Sequence, residues 1–118
     1  MATIAQTSMR QNGPVTVTTT ASTASDTLTY VPNTFQVLAV RNTTGGNLDV
    51  TIDGSGSTTI SPDGYGGTIS VAAGKTFTVP ANGSVLVNLD SIKAFLSGTI
   101  AITNTGTAGQ LVYTLLAL

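Results

Sequence analysis

The chain has 118 residues, 41% of them hydrophobic and only 8% charged, with four Lys or Arg, five acids, no His and no Cys. That length allows one domain, and the charge content is about a third of the ~25% usual for soluble domains. With no run of Lys or Arg, phosphate tracking along a nucleic acid is excluded, and without Cys or His so are disulfides, thiol catalysis, common zinc sites and a Ser-His-Asp triad.

Met1 to Gly13 shows no sustained period and reads as an N-terminal arm, mobile until it docks; the domain is expected over residues 14–118. After Pro14, Val15-Thr16-Val17-Thr18 alternates as a strand does. Residues 16–20 lack the charges that usually guard an edge, so they are a candidate open edge. Thr19 to Ser25 is small and polar, a loop or a weak edge. Leu28, Tyr30 and Val31 lead to a turn at Pro32-Asn33.

Phe35 to Arg41 is the strongest strand signal. It places Phe35, Val37, Ala39 and Arg41 on one face and Leu38 and Val40 on the other, both mostly apolar, as in a central strand. Thr43-Thr44-Gly45-Gly46 turns the chain. Leu48, Val50 and Ile52 then alternate with Asp49, Thr51 and Asp53, which predicts a β-hairpin over residues 35–53.

Two glycine-rich loops follow, at 54–57 and 61–67, with short strands expected at Thr58–Ile60 and around Ile69 and Val71. Phe77 and Val79 alternate with Thr76 and Thr78 up to the tight-turn signal Pro80-Ala81-Asn82-Gly83. Val85, Val87 and Leu89 mark the next strand, with Leu86 on its opposite face. Residues 90–97 form the sole plausible helical turn, capped by Asp90 or Ser91 and stopped by Gly98, with Ile92, Phe95 and Leu96 on one side. Thr99 to Thr103 is a strand, 104–109 a turn, and Gln110 to Leu118 a last, central strand.

About eight short strands at roughly ten-residue spacing specify an all-β protein, an antiparallel β-sandwich or jelly roll with one short helical turn. The expected core is Phe35, Val37, Val50, Ile52, Phe77, Val87, Ile100, Ile102, Val112 and Leu115. At ~25 cal/mol per Å² of buried apolar area it needs neither metal nor disulfide.

Few reactive groups remain. All five acids are Asp (Asp26, Asp49, Asp53, Asp63, Asp90). An Asp pair for glycoside hydrolysis or a Ser–Lys dyad for acyl transfer survives on paper, but these Asp fall at turns and on wet strand faces, where they accept from backbone donors. Asp49, Asp53 and Asp63 flank glycine loops, yet residues 53–57 supply one carboxylate where a Ca²⁺ loop supplies several. Gly64-Tyr65-Gly66-Gly67 leads into no helix and is followed by no Lys, unlike a phosphate loop. The chain is therefore expected to be no enzyme and to hold no cofactor or metal. No apolar run approaches the ~20 residues of a membrane span, and residues 1–6 lack the basic and apolar regions of a signal peptide, so synthesis in a cytoplasm is expected, with no membrane partner. What is left is association. Ile4, Met9 and Arg10 of the arm, Val15 and Val17 of the edge segment, and the loop ring Tyr65 are the candidate contacts, the arm by adding to a neighbour's sheet edge.

From Thr34 to Leu118 the order of elements resembles the capsid decoration, or cement, proteins of tailed bacteriophages. The resemblance lies in Phe35-Gln36-Val37-Leu38-Ala39-Val40-Arg41-Asn42 with its glycine turn and alternating strand, in Val79-Pro80-Ala81-Asn82-Gly83-Ser84, in the Asp90–Leu96 turn, and in the closing strands with Val112-Tyr113. It carries no functional residue across. It implies a β-sandwich or jelly roll, present as a dimer or trimer on the outside of an icosahedral shell, with copies of itself and the major capsid protein as partners. The other readings are a head–tail connector or tail-tip virion component, and a carbohydrate-binding or adhesive module centred on Tyr65.

Overall fold

β-Branched residues at alternate positions favour extended chain, because their stiff side chains pack well on a pleated surface. The computed structural model describes residues 2–9, 13–32, 34–56, 58–61, 64 and 66–117, and among them eleven strands carry this pattern. They are β1 (Gln6–Ser8), β2 (Thr20–Ala21), β3 (Ser25–Leu28), β4 (Gln36–Asn42), β5 (Leu48–Gly54), β6 (Thr59–Ile60), β7 (Ile69–Ser70), β8 (Lys75–Val79), β9 (Ser84–Asn88), β10 (Ile100–Asn104) and β11 (Leu111–Ala117). A 3-10 helix over Leu89–Phe95 follows β9.

Two sheets face each other across the core. One runs β1-β11-β4-β9, with β2 also on β11; the other runs β3-β10-β5-β8. Setting aside β1 and the small β6–β7 hairpin, the eight remaining strands give β2-β11-β4-β9 opposite β3-β10-β5-β8, which is jelly-roll winding. Leu38, Val40, Leu111, Tyr113 and Leu115 of the first sheet meet Leu28, Val50, Ile52, Val79, Ile100 and Ile102 of the second in one core. Leu89 and Leu96, at the ends of the helical turn, close it. That turn is capped by Asn88, whose side chain accepts from the Asp90 N–H (3.1 Å), not by Asp90 or Ser91. Gly98 follows in the left-handed region (φ +78).

The structure corrects four further expectations. First, β4 and β5 do not form a hairpin: β4 pairs with β11 and β9, while β5 pairs with β10 and β8. Residues 43–47 instead cross between the sheets. Asn42 holds that crossing, its Nδ2 donating to the Gly46 carbonyl (2.7 Å) and the Val79 carbonyl (3.2 Å), and its Oδ1 accepting from the Thr44 N–H (2.9 Å).

Second, the core face of β4 is Gln36–Leu38–Val40–Asn42, so Val37 points outward, as does Val112 of β11. Phe35 is 51% exposed with a positive φ of 52. The two polar residues that disguised this face are buried because they are satisfied. Gln36 accepts from the Val31 N–H (2.7 Å) and donates to the Thr29 carbonyl (3.0 Å) and to Gln6 Oε1 (2.5 Å).

Third, residues 2–9 are built into the sandwich. The Ile4 N–H donates to the Thr27 carbonyl (2.8 Å) and the Thr27 N–H to the Ala2 carbonyl (2.9 Å), so the chain starts on the free side of β3. It then changes sheets, and β1 runs parallel to β11, Gln6 opposite Leu115. Edge pairing and the burial of Ile4 (3% exposed) supply what local periodicity did not signal. Fourth, Val15–Thr18 lies in no strand, and of the proposed edge only Thr20 is in one.

Candidate interaction surface

The outer faces of the two sheets follow from strand parity. On the β3-β10-β5-β8 sheet, Ser25, Thr103, Thr51 and Thr76 fall in one lateral row, with Asp49 beside Thr78 in the next and Thr27, Ala101 and Asp53 in another. This face saturates itself in part: the Thr51 and Thr76 hydroxyls are 2.8 Å apart, and Thr78 donates to Asp49 Oδ1 (2.6 Å).

The other outer face is built differently. Its rows are Leu116–Val37–Asn88, Thr114–Ala39–Leu86 and Val112–Arg41–Ser84. Arg41 is the single charge in these rows. Leu86 is 70% exposed, the most exposed of the large apolar side chains among the described residues. A shallow depression of about 360 Å³ lies between Thr19, Ala39, Arg41, Val112 and Thr114. Along the β1/β2 margin, Thr7 is buried and its Oγ1 accepts from the Thr18 N–H (3.1 Å), which brings the segment before β2 against β1.

The sequence-predicted contacts divide accordingly. Ile4 is in the core and is withdrawn as a surface contact. Met9 (40% exposed) continues β1, its N–H donating to the Ala117 carbonyl (2.7 Å), and Val17 (46% exposed) precedes Thr18, so both border the apolar face. Val15 is half-buried. Arg10 and Tyr65 lie outside the described residues, as does Asp63. The residue that reading missed is Leu86: an apolar side chain on the parity opposite Val85 and Val87 was the available signal.

A second concavity, an open groove of about 680 Å³, runs along β3 between Thr3, Leu28, Tyr30, Leu96 and Ile100. Tyr30 is tied down there, donating to Asp90 Oδ1 (2.5 Å). That bond, then burial and the nearby negative charge, push the Tyr30 phenol up to about 12. Tyr113, in the core, is also raised, by burial first and against the hydrogen bond from Asn104.

Asp26 is fully buried at the seam where the N-terminal segment docks. It accepts from the Ala2 N–H (3.0 Å), the Thr23 N–H (2.8 Å) and the Thr23 hydroxyl (2.5 Å). It is a structural acceptor, occupied by three donors. Asp53 Oδ1 is buried without a hydrogen-bond partner, but among the described residues no three metal-ligating side chains gather. Nor, among them, is any helix long and apolar enough to cross a membrane. No family model, curated protein or solved structure matches the chain.

Proposed function

We propose that this chain is a structural virion protein, a capsid decoration or cement protein that binds the outside of an icosahedral phage shell and strengthens it without catalysis. The observation that carries this reading is the outer face of the β1-β11-β4-β9 sheet, where Leu86, largely exposed, and the half-buried Val37, Ala39, Val112 and Leu116 share a surface with one charge. Contiguous apolar surface of this kind marks an interaction site. Its place on a regular sheet suits repetition, since a rigid patch presented identically by every copy adds modest contacts over a symmetric lattice. Major capsid protein and further copies of the chain are the partners of this reading, and its site of action is the capsid surface, reached by assembly in the host cytoplasm. The alternative, a connector or tail-tip component, uses the same chemistry at a site of lower multiplicity.

Copy number and shell stability test it. Quantitative mass analysis of the virion should find hundreds of copies, against about a dozen or fewer for a connector or tip. Added to shells that lack it, the purified chain should co-sediment saturably and raise their melting temperature. A chain with no affinity for any shell overturns the proposal, and binding on a glycan array lost in Tyr65→Ala replaces it with the adhesive reading.

A further inference from the structure

Every sheet in an open sandwich ends in edges, and an edge strand carries unpaired N–H and C=O groups that template pairing with another chain unless charge, Pro, brevity or a cover prevents it. Three of the four margins here are defended. The β3 edge is covered by Ala2 and Ile4 through their bonds to Thr27. The β1/β2 margin is divided into strands of three and two residues. The β8 edge begins with a charge, Lys75. The fourth, β9, is Ser84-Val85-Leu86-Val87-Asn88: five residues with no charge, no Pro and, among the described residues, β4 as its single sheet neighbour.

Ladder alternation says which of its backbone groups are free. The Asn42 N–H donates to the Gly83 carbonyl (2.9 Å), and the Thr43 N–H to the Gln110 carbonyl (3.1 Å). In an antiparallel pair, facing residues alternate between hydrogen-bonded and non-bonded. Hence Val40 and Leu38 bond to Val85 and Val87, whereas Ala39 turns its backbone groups toward β11. Ser84, Leu86 and Asn88 therefore direct theirs away from the sheet, the Asn88 carbonyl already accepting from the Ser91 hydroxyl (2.6 Å). Asn88 is still extended (φ −78, ψ 112), so β9 keeps strand backbone up to the helical turn.

We infer that β9 pairs antiparallel with β9 of a second copy of this chain, about a two-fold axis at Leu86, joining the two five-stranded sheets into one. The occupant follows from the strand's own symmetry. A two-fold interface is isologous, so a surface must complement itself. Centred on Leu86, β9 does so: Leu86 faces Leu86 of the second copy, Val85 faces Val87, and Ser84 faces Asn88. No like charges meet. The free backbone groups of Leu86 and Ser84 and the Asn88 N–H fall at the hydrogen-bonded positions, the Asn88 carbonyl keeping the Ser91 hydroxyl as its donor. The two Leu86 side chains leave water together on the outer face, and Val85 and Val87 extend the inner one. The inference deepens the proposed function, whose reading of the chain as a protein that packs against its own copies it rests on, by naming the contact between copies.

The absence of Cys makes a direct test available. In Leu86→Cys, facing Cα atoms at a hydrogen-bonded pair sit about 5.5 Å apart, within reach of a disulfide or a short bismaleimide. In Ser84→Cys the two thiols are displaced by four residues, roughly 14 Å at strand rise, and are not bridged. The expected result is covalent dimer from Leu86→Cys and none from Ser84→Cys. In sedimentation equilibrium the unmodified chain should be a dimer and Leu86→Lys at least about tenfold weaker in self-association, because a charge on the axis faces its own copy. Thr76→Lys on β8 should be unaffected. Since Leu86 is largely exposed, Leu86→Lys should keep the parent's far-UV circular dichroism. A monomeric parent, or a dimer indifferent to Leu86→Lys, overturns the inference. Run alongside shell co-sedimentation, the failures separate: shell binding without β9 pairing removes this inference alone, and pairing without shell binding removes the decoration reading alone.

Discussion

The two outer faces of the sandwich differ in how their side chains are satisfied. On the β3-β10-β5-β8 sheet, the Thr51–Thr76 and Thr78–Asp49 bonds close polar groups on one another, leaving hydration to the remainder. On the β1-β11-β4-β9 sheet, Val37, Val112 and Leu116 are aliphatic and half-buried and Leu86 is largely exposed, with no polar pair to close on one another. Both sheets use the same period of two, and the same Thr/Val-rich composition serves both. The difference is that low charge alone does not leave a face apolar: hydroxyls that bond laterally keep a face polar, whereas alternating aliphatics one strand over leave apolar area whose burial is worth ~25 cal/mol per Å².

The sharpest contrast with either face is expected where polarity turns inward. Asp26 lies on the first of these sheets but points into the seam, with three donors on its carboxylate. Asp26→Ala leaves the Ala2 N–H and the Thr23 N–H without their acceptor, the Thr23 hydroxyl keeping the Ser25 carbonyl (3.0 Å), at a cost of about 3 kcal/mol. Urea unfolding should show this loss, and hydrogen exchange should show early opening at Thr27, whose N–H bonds Ala2. Unfolding within about 0.5 kcal/mol of the parent would mean that the docked N-terminal segment is not held by this carboxylate.

Between the faces themselves, the expected effect is on association and not on folding. Leu116→Lys places a charge on the apolar face beside Val37, and Thr103→Lys places one in the hydroxyl row beside Thr51. Each should change stability by about 1 kcal/mol or less, as outward-facing substitutions do. Shell co-sedimentation should fall strongly for Leu116→Lys and hold for Thr103→Lys. Equal losses for both would erase the distinction between the faces.

How far these faces were legible in the sequence depended on whether the deciding contact was local. The all-β class, the jelly-roll order as one of two options, the Asn82-Gly83 turn and the helical turn near residue 90 all rest on local signals. Asn82 indeed sits at φ 54 with the Gly83 N–H returning to the Pro80 carbonyl (2.9 Å). The hairpin over residues 35–53 failed because a four-residue turn and a sheet-to-sheet crossing look alike until Asn42 is seen bonding to Val79, 37 residues away. The sequence reverses the core face of β4 because Gln36 and Asn42 are polar by type, and their satisfaction, by near partners such as Val31 and Thr44 and far ones such as Gln6 and Val79, is legible only in the fold. Ile4 reads as a surface contact in the sequence because its burial depends on pairing with β3, not on its neighbours. Leu86 was visible as a parity exception, and its meaning emerged once β9 proved to be an edge.

The smallest effect expected is at the bond that links the two sheets at the β3 end. The Tyr30 hydroxyl donates to Asp90 on the helical turn after β9, so the neutral phenol is the bonded form. Its folded value, about 12, lies above the model-peptide value of 10.0 that the unfolded chain takes. The stability it contributes is therefore complete below pH 10 and is lost as pH rises through 12. Thermal melts of the parent and of Tyr30→Phe should differ by a constant amount up to about pH 9, and the difference should shrink between pH 10 and 12. Comparing the two proteins cancels Tyr113, which also titrates late but is present in both. A difference that widened with pH would mean the phenolate is the form the fold prefers, which the carboxylate of Asp90 beside it forbids. Because the bond joins the exit of β3 to the exit of β9, its loss should loosen that end and leave the apolar face and the β9 edge intact. Shell co-sedimentation of Tyr30→Phe at pH 7 should accordingly match the parent, which separates an effect on the frame from an effect on the surface it presents.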